Sequence, residues 1–337
     1  MEEFEARPCD HRDPALASQV DALLDRVAEH WGSDALSEGA MQRRSVSDVD
    51  AIAVRRHATG EVVGYVQITD LDPPSVPAFD SPGAGVPRVG RVAEVVLHPA
   101  TDHRRVLDLL VARACDPGNR QDVGIRLWLR HADDIGDTVL AAHGFSIERT
   151  LLQLRCELPL SEALTQTNEA SGPHVRPFCV GQDDESWLAS NNRAFADHPE
   201  QGGWDRATLA QRQREPWFDA DGFRVVSGNV GHASPTIDAW CWTKIHNDTQ
   251  PPMGEIYVIG VDPSAQGRGL GRRLAIDGLS WLASRGLGTG MLYVDADNDA
   301  ARSLYASLGF AEDHRDRAYV RQPSHVHPTG PVVTDVE

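Results

Sequence analysis

The residues in this chain best suited to chemistry lie between Glu255 and Arg272. An apolar run, Ile256-Tyr257-Val258-Ile259-Gly260-Val261, breaks at Asp262-Pro263 and leads into Gln266-Gly267-Arg268-Gly269-Leu270-Gly271. Glycines that open a helix directly after a strand leave backbone N–H groups uncovered. The helix dipole adds positive potential there, so the element is suited to holding a phosphate or pyrophosphate. The spacing is neither the G-x-G-x-x-G of dinucleotide-binding turns nor that of the nucleotide P-loop, which ends in Gly-Lys-Ser/Thr. Glu255 stands at the start of the same strand, where a carboxylate can accept the proton that an amine must lose before its lone pair attacks a carbonyl. By itself a glutamate at a strand end is a solvated charge; the adjacent anion loop favours the functional reading. Tyr305 falls seven residues after Asn298 and four before Gly309. A phenol can return a proton to a departing thiolate, although a lone tyrosine at helical spacing is more simply a packing residue. A carbonyl under attack also needs a donor for its developing oxyanion, and a backbone N–H in Ile259, Gly260 or Val261 is the expected source. Gly260 either marks a bulge that frees such a donor or relieves packing against a neighbour.

The order Gln266-x-x-Gly269-x-Gly271 resembles the pyrophosphate loop of the GCN5-related N-acetyltransferases, which bind acetyl-coenzyme A. Asn298 to Phe310 is similar to the Asn-x-x-Ala…Tyr…Gly-Phe segment of the same family. The resemblance implies acetyl transfer to an amine, with Glu255 as base and Tyr305 as acid. It implies coenzyme contacts from Ile259, Gly260 and Val261, from Gln266, Gly267, Arg268, Gly269, Leu270, Gly271 and Arg272, and from Asn298, Asp299, Ala300, Ala301, Arg302 and Ser303. No metal is expected. The run Asn191 to Trp204 and the triplet Trp242-Thr243-Lys244 resemble those tandem members of the family that acetylate the cysteinyl amine of a cysteinyl-glucosaminyl-inositol. That likeness implies that Glu200, Lys244, Glu255 and Tyr293 touch a pseudo-disaccharide acceptor, and that Glu38 reaches it from the first half. A hydroxyl-rich acceptor suits carboxylates that accept and an ammonium that donates. Other amines (a protein N-terminus, a polyamine, an antibiotic) and a non-catalytic acetyl-coenzyme A sensor remain alternatives.

These residues need a scaffold, and the chain holds two copies of one layout. Ala93-Glu94-Val95-Val96-Leu97-His98-Pro99 is followed by a helical stretch, a strand-like run Gly124 to Leu129, and a helix ending at Gly144-Phe145. Glu255 to Pro263 is followed by the same series, ending at Gly309-Phe310. A fixed-order recurrence of this size indicates duplication of a domain, not a solenoid. The expected architecture is α/β: two tandem acetyltransferase-like domains, each a mixed central sheet flanked by helices. The domains are placed at 1–158 and 174–322, with a polar linker at 159–173 and a mobile tail at 323–337. In the second copy helices are expected over 185–194, 206–214, 269–284 and 300–308, and strands over 223–228, 236–245, 290–294 and 318–321. The first copy departs from the pattern after Pro99, where Ala100 to Asp108 contains no Gly-x-Gly. Side chains there crowd a pyrophosphate and β-branched Val106 resists glycine's backbone angles, so Val106→Gly is expected to do little. Val95, Val96 and Leu97 then line a vestigial coenzyme cleft, in a domain whose task is to complete the acceptor site.

At 337 residues the chain suits two domains, and 41% apolar with 24% charged residues is ordinary globular composition. A formal net charge of −18 argues against nucleic acid and anionic membranes as partners. The charged N-terminus lacks the apolar core of a signal peptide, and no apolar run is long enough to span a bilayer. A cytoplasmic monomer acting on a small molecule is expected. The cysteines, Cys9, Cys115, Cys156, Cys179 and Cys241, form no C-x-x-C pair and read as reduced thiols.

Overall fold

A computed structural model describes the chain except residues 1–2, 45–48, 72–88, 117–122, 171, 197–200, 229–235, 248 and 324–337. The expected tail beyond Gln322 therefore lies almost wholly outside the described residues. The first half contains β1 (Phe4–Pro8), α1 (Pro14–Trp31), α2 (Glu38–Arg44), β2 (Asp50–Arg56), β3 (Val62–Asp70), β4 (Val89–Leu97), α3 (His103–Ala114), β5 (Gly124–Leu129), α4 (Asp134–Ala142) and β6 (Ser146–Glu157). The second contains α5 (Glu162–Ala170), β7 (Val175–Pro177), α6 (Asp184–Ala194), α7 (Arg206–Arg212), β8 (Phe223–Gly228), β9 (Thr236–His246), β10 (Met253–Val261), α8 (Leu270–Ser284), β11 (Thr289–Asp295), α9 (Asp299–Ala306) and β12 (Ala311–Arg321). The recurrent layout is present: each half has a parallel strand pair, β4–β5 and β10–β11, joined through a helix.

The mixed α/β architecture forms with one departure from two separate sheets. All twelve described strands join one sheet in the order β1-β2-β3-β4-β5-β12-β6-β11-β10-β9-β8-β7. The last strand of each half has crossed over: β12 pairs with β5 from Arg317–Leu129 to Arg321–Ile125, and β6 pairs with β11 from Thr289–Glu157 to Asp295–Leu151. The cores follow the exchange. Leu152, Leu154 and Cys156 of β6 are buried among α8 and α9 side chains, while Tyr319 of β12 is buried in the core of α3 and α4. Each buried leucine contributes about 1.5–3 kcal/mol, so the apolar residues of β6 stabilise the second half rather than their own. Asp137 on α4 holds β12 in place, accepting from Tyr319 Oη at 2.7 Å and Arg317 at 2.5 Å.

The segment read as a linker from its polar composition holds α5, whose Leu164 packs against the second core. One large apolar residue, with only alanines beside it on an otherwise polar stretch, leaves too weak a period to mark a helix in advance. Strand β12 begins at Ala311, seven residues ahead of the expected start, because its charged first part pairs with β6 alone while its end lies between β6 and β5. Val106, expected to be replaceable by glycine, is fully buried on α3, and a Cβ added at Gly64 would lie 2.4 Å from its Cγ1. It is a core residue at a close helix–strand contact, not part of an open loop. Among the described residues, no helix is long and apolar enough to cross a membrane.

Candidate active site

The parallel pair β10–β11 is joined only at Gly254–Gly290 and Glu255–Met291, and then the two strands part. β10 continues to Val261 paired with β9 alone, so the side of Ile259 to Val261 that faces β11 has no ladder partner there. A bulge accompanies this divergence, and it lies between Ile256 and Val258, not at Gly260. Gly260 keeps regular register with Trp240, and an added Cβ would lie 2.4 Å from the Trp240 ring. Of its two open readings, close packing is the one observed.

Past the gap, Asp262 caps a short 3-10 turn at Pro263–Ala265, and Gly267 and Gly269 take φ of 76° and 71°. Those left-handed angles are the reason for glycine here, since nothing lies within 4 Å of either added Cβ. Gly269 is the N-cap of α8 and supplies no side-chain acceptor, so the first-turn N–H groups of the helix have none from the cap. Open space above a glycine turn, uncovered N–H groups and a widened strand pair fit a pyrophosphate followed by an extended chain. Arg268 is tied to Asp238 at 2.9 Å and Arg272 to Ser307 at 2.5 Å. Asn298 caps α9, accepting from Ala301 N at 3.1 Å, and Arg302 bonds Ala296 O and Asp299 nearby. Asp299, Ala300, Ala301 and Ser303 share this helix start.

On one face of the sheet's middle strands a cavity of about 550 Å³ opens. Its floor follows the strand period of two: Arg126, Trp128 and Arg130 from β5 and the residue after it, Met253, Glu255 and Tyr257 from β10, and Lys244 and His246 from β9. Its other wall is the first half's Gly32 to Ser37 segment. Glu94 on β4 fastens that wall, its two oxygens accepting from Ser37 Oγ at 2.5 Å and Ser37 N at 2.8 Å.

Three expected acceptor residues, Lys244, Glu255 and Tyr293, meet in this cavity. Glu255 is 8% exposed and accepts a 2.8 Å hydrogen bond from His246 Nε2, which fixes the carboxylate's direction. The Lys244 ammonium lies over the rings of Trp217 and Tyr257, at 5.1 and 5.9 Å from their centroids. Tyr293 Oη accepts from Gln153 Nε2 at 2.8 Å. Burial pushes its phenol up to about 12, so it stays protonated and can donate. Glu38 begins α2, one residue past Ser37 of the cavity wall. Glu200 lies outside the described residues.

Tyr305 does not line the cavity. It is 6% exposed in the core beneath α8, its ring 5.6 Å from that of Phe310. α8 packs on the opposite sheet face, where a Cβ at Gly278 would lie 2.7 Å from Cys241 Sγ. Burial raises the Tyr305 phenol well above its ordinary value, so it holds its proton. Val95, Val96 and Leu97 line a separate cavity of about 40 Å³, covered by Trp31 and His131.

Sequence reasoning missed His246, Glu94, Arg130 and Asp316. His246 had a usable signal: it lies two residues beyond Lys244 on the same strand, and the expected strand stopped one residue short of it. The other three carry no motif and meet only through the shared sheet. Among the described residues, no group of three or more His, Cys, Asp or Glu could hold a metal ion.

Residues 187–310 match the model of the acetyltransferase (GNAT) family. A mycothiol acetyltransferase of Thermobispora bispora is 40% identical over 312 residues, covering 91% of this chain and 97% of the relative. One from Streptomyces avermitilis is 38% identical over 310 residues, covering 91% and 92%. Among solved structures, a GCN5-related N-acetyltransferase of Sphaerobacter thermophilus superposes with a TM-score of 0.61 at 18% identity, covering 94% of this chain and 95% of its own. A tandem GNAT protein from the clavulanic acid biosynthesis pathway gives 0.59 at 18% identity, covering 96% and 99%. These two share the fold.

Proposed function

From the premise that the chain belongs to the mycothiol acetyltransferase family, we propose that it acetylates the cysteinyl amine of 1D-myo-inositol 2-(L-cysteinylamino)-2-deoxy-glucopyranoside, the last step in making mycothiol. It is an acetyl-coenzyme A-dependent N-acetyltransferase. The observation that carries the reading is the strand gap after Glu255. It opens beside the glycine turn on one hand and the cavity of Lys244, Glu255 and Tyr293 on the other.

When bound, acetyl-coenzyme A supplies the thioester carbonyl that the amine attacks. The N–H groups from Gln266 to Arg272 would hold its pyrophosphate, with Asn298 to Ser303 beside them. The unpaired edge at Ile259 to Val261 would position the acyl arm and donate to the carbonyl oxygen. Glu255, oriented by His246, takes the amine proton on its free oxygen. Tyr305 is kept as the general acid; burial holds its phenol protonated. Lys244, Tyr293, Glu38 and Glu200 would bind the acceptor.

The two copies are taken as 1–158 and 174–322, which the repeated parallel pairs support despite the exchanged strands. The enzyme is read as a cytoplasmic monomer acting on a small molecule.

The test is release of coenzyme thiol with this acceptor against a panel of peptide and polyamine amines. Rapid release with the aminosugar conjugate alone is expected. Release only with another amine would replace the acceptor, and none with any would leave a coenzyme-binding sensor.

A further inference from the structure

Arg130 follows the last residue of β5, and the pairing of Leu129 with Arg317 carries Asp316 alongside it. Strand exchange thus sets a guanidinium from the first half beside a carboxylate from the second. Their nearest approach is 3.7 Å, too long for a hydrogen bond. Asp316 is 4% exposed and its Oδ1 already accepts from His131 N at 3.1 Å, leaving Oδ2 on the Arg130 side. Among the described residues Arg130 makes no hydrogen bond, and both side chains line the large cavity. A guanidinium with five N–H donors and no acceptor at the floor of a cavity is suited to a ligand that brings oxygens.

The surroundings narrow what that ligand is. Asp316 approaches Arg130 to 3.7 Å, and Glu94 and Asp34 line the same cavity. Arg43, Arg126 and Lys244 line the same cavity, so charge alone does not choose the ligand; a hydroxyl fits this pair because it can donate to Asp316 while its oxygen accepts from the Arg130 fork. Tyr293 and Glu255 line the same cavity as Arg130 and Asp316.

We propose that Arg130 and Asp316 form a polyol-recognition pair, in which the Arg130 fork donates to two neighbouring hydroxyl oxygens and Asp316 Oδ2 accepts from one of those hydroxyls. The pair holds the sugar–inositol end of the acceptor while Glu255 works at the amine end, so the inference deepens the proposed function and rests on it.

The test separates binding from transfer. Glucosaminyl-inositol, which lacks the cysteinyl amine, is titrated calorimetrically into wild type, Arg130→Lys and Asp316→Asn. Lysine keeps the charge opposite Asp316 but loses the fork; asparagine keeps the acceptor for His131 N but turns the second oxygen into a donor. Each variant is expected to weaken the disaccharide at least tenfold while its calorimetric affinity for acetyl-coenzyme A stays unchanged, which also shows that it is folded. Wild-type affinity in a folded variant would overturn the pair, as would failure of wild type to bind the disaccharide. Thiol release with the full conjugate judges the function separately. Normal transfer with insensitive variants sinks only the pair. Disaccharide binding lost in the variants, without transfer by wild type, upholds the pair and sinks the acceptor reading.

Discussion

In the first half β4 and β5 stay paired from Val89–Gly124 to Val95–Leu129, whereas in the second β10 and β11 part after Glu255–Met291. The helices that follow differ in the same sense. α8 starts at a glycine without a side-chain acceptor; α3 starts at Asp102, whose carboxylate accepts from Arg105 N at 3.2 Å and already fills the place an anion would take. Where the second half opens a gap, the first has Trp31 and His131 over a cavity of about 40 Å³, room for a water or so. In the proposed function, one layout serves as a coenzyme cradle in one half and as a wall for the acceptor in the other, and the two differ in a few residues at one turn.

The sharpest way to break this contrast is at the base. Glu255→Gln is expected to lower kcat by roughly 10²–10⁴ with little change in the KM for acetyl-coenzyme A, and steady-state kinetics with unchanged kcat would remove Glu255 from the role. Next comes Val106→Gly, which leaves the first half without a coenzyme turn and opens a hole against Gly64. A loss of about 2–4 kcal/mol in denaturant unfolding is expected, and a loss within error would place Val106 outside the core. Gly269→Val forces a β-branched residue into a left-handed angle at the cradle, a strain of about 1–3 kcal/mol. Binding of acetyl-coenzyme A should weaken roughly tenfold or more by calorimetry; normal affinity would mean the turn does not hold the coenzyme.

The smallest effect concerns His131, stacked between Trp31 and His314 at 4.0 and 3.7 Å. Burial, with the His314 charge second, holds its pKa down to about 3. The unfolded chain, near 6.5, binds this proton first, so the His131 contribution is complete above about pH 6.5 and fades as pH falls towards 3. His131→Phe should flatten the stability profile between about pH 6.5 and 4.5; an unchanged slope would assign the loss to other groups.

What could be read in advance was local. Gly267 and Gly269 were legible because a left-handed turn favours glycine, and the apolar run Ile256 to Val261 placed Glu255 on a strand beside them. Gly260 shows the limit: a neighbour across the sheet, Trp240, decided between bulge and packing. Arg130 and Asp316 were out of reach, since only the exchange of β6 and β12 brings residues 130 and 316 together. The helix α5 within the polar linker stretch was not legible, because the contact of Leu164 with the second core is tertiary.

The exchanged strands also set a timetable for biosynthesis. β5 waits for its neighbour β12, which ends at Arg321 and so leaves the ribosome only after the strands and helices of the second half have been made. The N-terminal half cannot complete its sheet as it emerges, as domains commonly do, and until then it carries the exposed edge of β5. Joining strands so distant in sequence also makes the closing step slow. The chain is therefore most vulnerable to aggregation late in its synthesis, and a ribosome stalled before residue 311 would present an open sheet edge rather than a finished first domain.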